Sequence, residues 1–320
     1  MRLFDMHCDT LYECFQTGAP LVDNRLHIDL TRGLRVAAPW AQVFAVWLPD
    51  TLRGKPAYEQ CREILEQAHR EAENNAGKMA VVRTAEDMRK TLSSGRCAAL
   101  LAVEGGAALA GSLEHIRDLA ALDVKILTLT WNGDNELGCG CCSKTGTGLT
   151  PFGKCAVREL ETYGILPDVS HLNERGFWDV AELSGGPFIA SHSVSAAVHP
   201  NPRNLTDAQF AAVRDSGGVV GLNVCAAQLG EQSFSCIERH LYHYLSLGGE
   251  RTVGFGCDFD GTELPPEWNG VEMLEGLYDY LCRKNYEEAC LERLFFGNCY
   301  DFFTAALTRG GSCISMKGEP

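Results

Sequence analysis

No stretch of about 18 consecutive apolar residues occurs in this chain, so no membrane-spanning helix is predicted. The opening residues, Met1 to His7, pass straight into polar side chains and lack the apolar run of an export leader; a cytoplasmic location is the expectation. Positive charge is scarce. Lys and Arg number 28 against 42 Asp and Glu, and the formal net charge of −14 repels both nucleic acid and anionic membrane surfaces. Neither partner is expected. Internal repeats and low-complexity blocks are missing too, which sets aside repeat architectures. Cysteine is not scarce, at 15 residues, but the number is odd and the thiols are scattered through an enzyme-sized chain. That is unlike a short secreted disulfide scaffold, so they read as reduced thiols, mostly buried.

What is present is a large core. Apolar residues make up 45% of 320 positions, long for an average domain but within the range of a single β/α barrel. Short apolar runs rich in β-branched residues recur at 3–6, 42–48, 98–103, 125–130, 165–169, 188–190, 219–223 and 252–256. They are near-continuous rather than alternating, as parallel strands covered on both faces should be. Between them lie helical patterns: Tyr58, Cys61, Ile64, Leu65 and Ala68 share one face, and Thr206 caps a helix over 207–215 that stops at Gly217-Gly218. A further helix over 237–247 stops at Gly248-Gly249. About eight alternations of strand and helix predict an α/β fold, a TIM-like (β/α)8 barrel of the metal-dependent hydrolase type, with residues 1–320 as one domain. Residues 49–97 form an excursion on it: a charged helix, a short extra strand at Met79–Val82 and a second helix near Glu86–Leu92. The tail after Arg309 is expected to be loose.

The polar residues collect at the carboxyl ends of these strands. His7 and Asp9 follow the first, Glu104 the third, His171 the fifth, His192 the sixth and Asp258 the eighth. In a β/α barrel those ends share one face, where active sites lie. Three imidazoles, an aspartate and a glutamate form a nitrogen and oxygen set suited to zinc or another borderline divalent ion. His7 and Asp9, two residues apart on a strand, point to the same side. A glutamate has two oxygens and can bridge two ions, and ions about 3.5–4 Å apart can hold a hydroxide between them as nucleophile. Asp258, outside that set, is left to move a proton.

Each residue also has a plainer reading. Histidines often only satisfy local hydrogen bonds. His192 between Ser191 and Ser193 suits a buried polar turn, and Glu104 before Gly105-Gly106 suits a helix cap. The joint placement at one barrel face favours the metal reading. Two further motifs are decoys. Gly148 to Cys155 nearly matches a phosphate loop but lacks its final Ser or Thr and is read as a loop leading into a helix. Cys139, Cys141 and Cys142 have no second Cys/His pair at zinc-finger spacing and are read as a flexible loop with free thiols.

The chain resembles the membrane dipeptidase (renal dipeptidase) family of metallopeptidases, in particular its soluble bacterial members. The matching pieces are Asp5-Met6-His7-Cys8-Asp9, the run from Gln42 to Trp47, Ala102-Val103-Glu104-Gly105-Gly106 and Leu127-Thr128-Leu129-Thr130. They continue with Asp168-Val169-Ser170-His171, Ser191-His192-Ser193, the run from Pro202 to Thr206, and Val253 to Gly261. The ordered set runs from residue 3 to about residue 305 and is far more specific than any one piece. The resemblance implies two zinc ions, one held by His7 and Asp9, the other by His171 and His192, with Glu104 bridging. It implies Asp258 as the acid/base residue, Arg203 as a substrate-binding arginine, and hydrolysis of dipeptides, often with a D-residue at the C-terminal position. Dimers are common in the family, so a homodimer is a possible state. One departure stands out. Better-known members carry a histidine after the Leu-Thr-Leu-Thr run, where this chain has Trp131, whose indole N–H donates one hydrogen bond but accepts none. Trp131 is therefore a candidate substrate-binding residue with altered preference, and loops 132–150 and 224–235 are expected to shape the rest. Barrels of this kind also hydrolyse N-acyl-D-amino acids and lactones, and one that has lost catalysis can persist as a metal-binding scaffold; those are the competing readings.

Overall fold

The structure, a computed structural model, describes residues 1–314. Its strands are β1 (Leu3–Asp5), β2 (Trp40–Trp47), β3 (Met79–Val81), β4 (Cys97–Glu104), β5 (Val124–Thr128), β6 (Leu166–Asp168), β7 (Val220–Leu222) and β8 (Val253–Phe255). They pair in parallel in the order β6-β5-β4-β2-β1-β8-β7, with β3 lying on the first residues of β4. The chain is thus α/β, and each crossover carries helix, as parallel pairing requires.

The run at Phe188–Ala190, expected as a full strand, makes only single parallel bridges: Ile189 to Asp168 of β6, and Ala190 to Val220 of β7. The reason lies in the next three residues. Ser191 N donates to the Asp168 carboxylate, His192 N to Ser170 Oγ and Ser193 N to Gly221 O, so two of the three amides leave the ladder for side chains. A strand whose donors are diverted that early cannot lengthen.

Alternate residues of the long strands fall into two apolar clusters. Ala41, Val43 and Ala45 of β2 join Ala98, Leu100 and Ala102 of β4 with Phe4 and Ile189 on one side. Trp40, Phe44 and Val46 join Ala99, Leu101 and Val103 on the other, against the helices. The share of the first cluster that comes from β2 and β4 is mostly alanine, and the helix Asn298–Ile314 packs on it with Phe302, Phe303 and Leu307. That helix runs on through residues 310–312, where a loose tail was expected, since extending an anchored helix is far easier than starting one. The rest of that tail, residues 315–320, lies outside the described residues.

The 49–97 excursion holds the helix Gly54–Asn74, then β3, then the helix Ala85–Ser93. Cys61, Ile64, Leu65 and Ala68 are buried on the first of these. Thr206 caps the helix Asp207–Asp215, its hydroxyl accepting from Gln209 N. Among the described residues no helix is long and apolar enough to cross a membrane.

Candidate functional site

The strand ends are tied together beneath the site. Asp5, fully buried at the end of β1, accepts from His7 N at 2.9 Å, from Gln42 Nε2 at 3.2 Å and from Cys257 N at 3.2 Å. One carboxylate therefore fixes the directions in which β1 and β8 leave the sheet. Gly221 and Gly256 serve the neighbouring segment: a Cβ on either would sit within 2 Å of Ser191 O, so only glycine lets these strands approach the backbone that carries His192.

The structure brings together all six of the polar residues singled out above, and all six are buried. His7 Nε2 lies 3.4 Å from Glu104 Oε2, 3.7 Å from Asp9 Oδ1 and 3.8 Å from Asp258 Oδ1. On the other side, Glu104 Oε1 lies 2.8 Å from His171 Nε2 and 3.4 Å from His192 Nε2. Glu104 thus faces His7 with one oxygen and the other two histidines with the second. It is not a helix cap: the short helical turn Gly106–Leu109 has no side-chain cap.

The hydrogen bonds behind the rings fix their tautomers. His171 Nδ1 lies 2.9 Å from Asn132 Oδ1, an atom that can only accept, so the imidazole proton sits on Nδ1 and the Nε2 lone pair turns inward. His192 reaches the same state by a relay. Ser191 Oγ donates to Asp168 Oδ2 at 2.5 Å, leaving its own lone pair to accept from His192 Nδ1 at 2.7 Å. The two Nε2 atoms then face each other 2.9 Å apart with no proton to share. Two lone pairs and a carboxylate oxygen aimed at one point repel one another unless a cation lies among them. His7 Nδ1, His7 Nε2 and Asp9 Oδ1 are likewise buried without a hydrogen-bond partner. Buried polar atoms are rarely left so, and the donor set fits a divalent metal centre. Two ligand groupings compact enough to surround an ion emerge, His7 with Glu104 and His192, and His7 with Asp9 and Asp258.

The electrostatics agree with that chemistry. Burial, with Arg203 adding, lowers His171 to about 4, and burial with the neighbouring His7 takes His192 well below the ordinary imidazole range. Both are neutral at neutral pH, as ligands must be. Burial also acts to lower His7, but Glu104 and Asp9 outweigh it and hold a proton there. Burial and the nearby Glu104 push Asp9 up to about 6. Asp258 is raised to about 8, by burial first, with His7 opposing and Asp9 and Glu104 adding. Glu104 is held well below the usual carboxylate range, because His7 and His171 overcome the burial that would raise it. The raised proton affinities of His7, Asp9 and Asp258 reflect carboxylate charge crowded into a buried site, charge that a bound divalent ion would balance.

A cavity of about 470 Å³ opens over this cluster. Arg203 borders it; its guanidinium donates to Ser193 Oγ and to His192 O, both at 2.9 Å, while Nε has no partner. Trp131 lines the same cavity, as do Asn132, Cys141 and Cys142 from loop 132–150 and Cys225, Ala227 and Gln228 from loop 224–235. Cys139, Cys141 and Cys142 are free thiols, but the loop that carries them is held rather than flexible. Gly140 N bonds Gly133 O, Cys141 N bonds His171 O and Cys142 N bonds Asn132 O, while Cys139 is buried against Thr145 and Thr147. The phosphate-loop decoy resolves into Thr150 capping the helix Pro151–Thr162, with proline in its first turn. Sequence reasoning missed Asn132 and the Asp168–Ser191 relay as supports of the two histidines. It also missed Tyr12 and Trp47, which border the cavity beside Trp131.

Comparison with known proteins adds an independent observation. A family model described as membrane dipeptidase, peptidase family M19, matches residues 1–308. A solved structure described as a dipeptidase and metallopeptidase of family M19 superposes with a TM-score of 0.90 at 30% identity, covering 96% of this chain and 99% of that one. A metallopeptidase from Rhodobacter sphaeroides, solved with a phosphinate mimic of the dipeptide L-Ala-D-Ala, superposes with a TM-score of 0.88 at 29% identity, over 97% and 99% of the two chains. Among curated proteins, an uncharacterized protein in the pqqA 5′ region of Klebsiella pneumoniae is 33% identical over 238 residues, 70% of this chain and 88% of that one.

Proposed function

The chain belongs to the membrane dipeptidase family, peptidase family M19, and on that footing we propose that it hydrolyses dipeptides with the help of two divalent metal ions, zinc the first candidate. The observation that carries this reading is the meeting of three imidazoles around Glu104, with Asp9 and Asp258 beside His7 and both Nε2 lone pairs of His171 and His192 turned to one Glu104 oxygen. His7 and Asp9 would hold one ion, His171 and His192 the other, and Glu104 would bridge them. Bound there, divalent ions supply Lewis acidity and a water of lowered pKa.

The chain's own residues supply the rest. Asp258, 3.8 Å from His7 and bordering the cavity, is the group left to take the proton of the attacking water and return it to the departing amine. Arg203 presents a planar, permanently charged fork to a substrate carboxylate or developing oxyanion. Trp131 borders the same space. The likeness to the enzyme crystallised with an L-Ala-D-Ala mimic supports a substrate of that size, with a D-residue tolerated at its C-terminal end. As for the scaffold, the bridges of Ile189 to β6 and of Ala190 to β7 support reading Phe188–Ala190 as the stave that closes a single (β/α)8 barrel.

The deciding experiment is hydrolysis by metal-replete protein of a dipeptide panel that includes L-Ala-D-Ala, run beside N-acyl-D-amino acids and lactones. Turnover of dipeptides alone is the expected result. Preference for the acyl amino acids or lactones, or two bound ions with no hydrolysis at all, would overturn the proposal.

A further inference from the structure

The wall of the cavity beside the six-residue cluster carries chemistry that the hydrolytic reaction does not use. Tyr12, Trp47 and Trp131 all border the cavity. Their rings follow one another in edge-to-face contact, Tyr12 on Trp47 at 4.8 Å and Trp47 on Trp131 at 5.0 Å between centroids. Trp131 in turn leans on His171 at 6.4 Å. Such pairs are favourable geometries for aromatic rings, so the wall is braced rather than adaptable. It comes from three separate places in the chain: Tyr12 from the helix Thr10–Thr17, Trp47 from the end of β2, and Trp131 from just beyond β5.

Charge on the lining is one-sided. Beyond the clustered carboxylates, Glu13 and Asp260 also border the cavity, and Arg203 is the one lysine or arginine among its lining residues. Arg203 is already assigned to the substrate's backbone carboxylate or oxyanion, so among the described residues no lysine or arginine of the lining is left for an acidic side chain.

We propose that Tyr12, Trp47 and Trp131 form a side-chain subsite, and that the substrates are dipeptides with an aromatic or other large apolar side chain in at least one position, with acidic side chains disfavoured. This rests on the dipeptidase reading above and goes beyond it by naming the substrate class. A stacked or edge-on aromatic pair is worth about three- to tenfold in affinity beyond its buried area.

The test uses phosphinate dipeptide mimics bearing Ala, Phe or Glu side chains, at the N-terminal position in one series and the C-terminal position in the other. Their binding to metal-replete protein is measured by calorimetry, beside kcat and KM for the matching dipeptides. In at least one series the Phe mimic should bind three- to tenfold more tightly than the Ala mimic, and the Glu mimic more weakly than either. The Phe-to-Ala ratio should fall toward unity in Trp131→Ala, mainly through KM, and be largely retained in Trp131→Phe. Equal binding of the three mimics in both series, or a ratio unchanged in Trp131→Ala, overturns the subsite while leaving a working dipeptidase. Failure of every mimic to bind and of every dipeptide to turn over overturns the dipeptidase reading, and the subsite with it.

Discussion

Asp168→Asn should weaken metal binding without replacing any of the six clustered residues. Asp168 Oδ1 accepts two backbone amides, Ser170 N at 3.0 Å and Ser191 N at 2.9 Å, while Oδ2 accepts two hydroxyls, Thr128 Oγ1 at 2.6 Å and Ser191 Oγ at 2.5 Å. Amides cannot reverse their role, so asparagine must keep its oxygen toward them and turn its NH2 toward the hydroxyls. Ser191 Oγ then accepts from Asn and has its proton left to give to His192 Nδ1, which moves the imidazole proton to Nε2. A protonated Nε2 is no ligand. The hydroxyl flip preserves the heavy-atom positions, so the fold should survive while metal affinity falls. Loss of an outer partner of a histidine ligand typically weakens affinity about 10- to 100-fold, or about 1.4–2.8 kcal/mol. Competition against a chromophoric zinc chelator reads this directly, with a thermal melt of the metal-free protein as the control for folding. Zinc affinity within twofold of the parent, in a variant that melts normally without metal, would refute the tautomer argument.

Other expectations follow from the same geometry. Glu104→Gln removes the charge that faces both sides of the cluster, and elemental analysis should find fewer than two ions per chain; full occupancy would contradict a bridging role. Asp258→Asn should keep both ions and lose about 10²- to 10⁴-fold in kcat, and near-normal turnover would remove Asp258 from the proton transfer. His240 offers a pH test away from the site. It is buried, accepts from Ser195 N through Nδ1 at 3.1 Å and donates through Nε2 to Leu229 O at 3.2 Å, and burial lowers it to about 4. Unfolded histidine titrates near 6.5, so between about 6.5 and about 4 the unfolded chain binds the extra proton and stability falls as pH falls. Urea unfolding of metal-free protein at pH 7 and pH 5 should show that loss, and a smaller one in His240→Gln; equal losses in the two proteins would refute the assignment.

Much of this was legible because residue type and strand end coincide. β2 and β4 announce themselves as runs buried on both faces, and Glu104 is the last residue of β4. The extra strand at Met79 could be read from its apolar triplet between charged helices. The run at Phe188–Ala190 could be located but not its reduction to single bridges, because the loss of ladder bonds depends on where Asp168 and Ser170 stand in space. The supports of the two histidines were hidden for the same reason. Asn132 is 39 positions from His171, and Asp168 is 23 from Ser191. No periodicity links such pairs; each partner lies on a different strand end, and only parallel pairing brings those ends to one side. The hold on the thiol loop was hidden because a cluster of small residues and cysteines carries no mark of the backbone bonds that tie it down.

Two residues of the cluster also hold an unusual backbone conformation. His171 and Asp258 both have positive φ, +68° and +64°, although neither is glycine. An L-residue in the left-handed region costs roughly 1–2 kcal/mol, and such strain persists only where the surroundings over-determine it. At His171 they do: its carbonyl accepts Cys141 N at 2.7 Å while its ring is held by Asn132. At Asp258 the amide donates to His7 O at 3.2 Å and the carbonyl accepts Gly261 N at 3.2 Å. Each lies three residues beyond the end of a strand, His171 after β6 and Asp258 after β8. A glycine at either place would relieve the backbone and remove the group. Two of the six clustered residues sit in this region, His171 held through its carbonyl and ring and Asp258 through its amide and carbonyl. That arrangement follows directly if the geometry of the cluster is what the surrounding loops are built to hold.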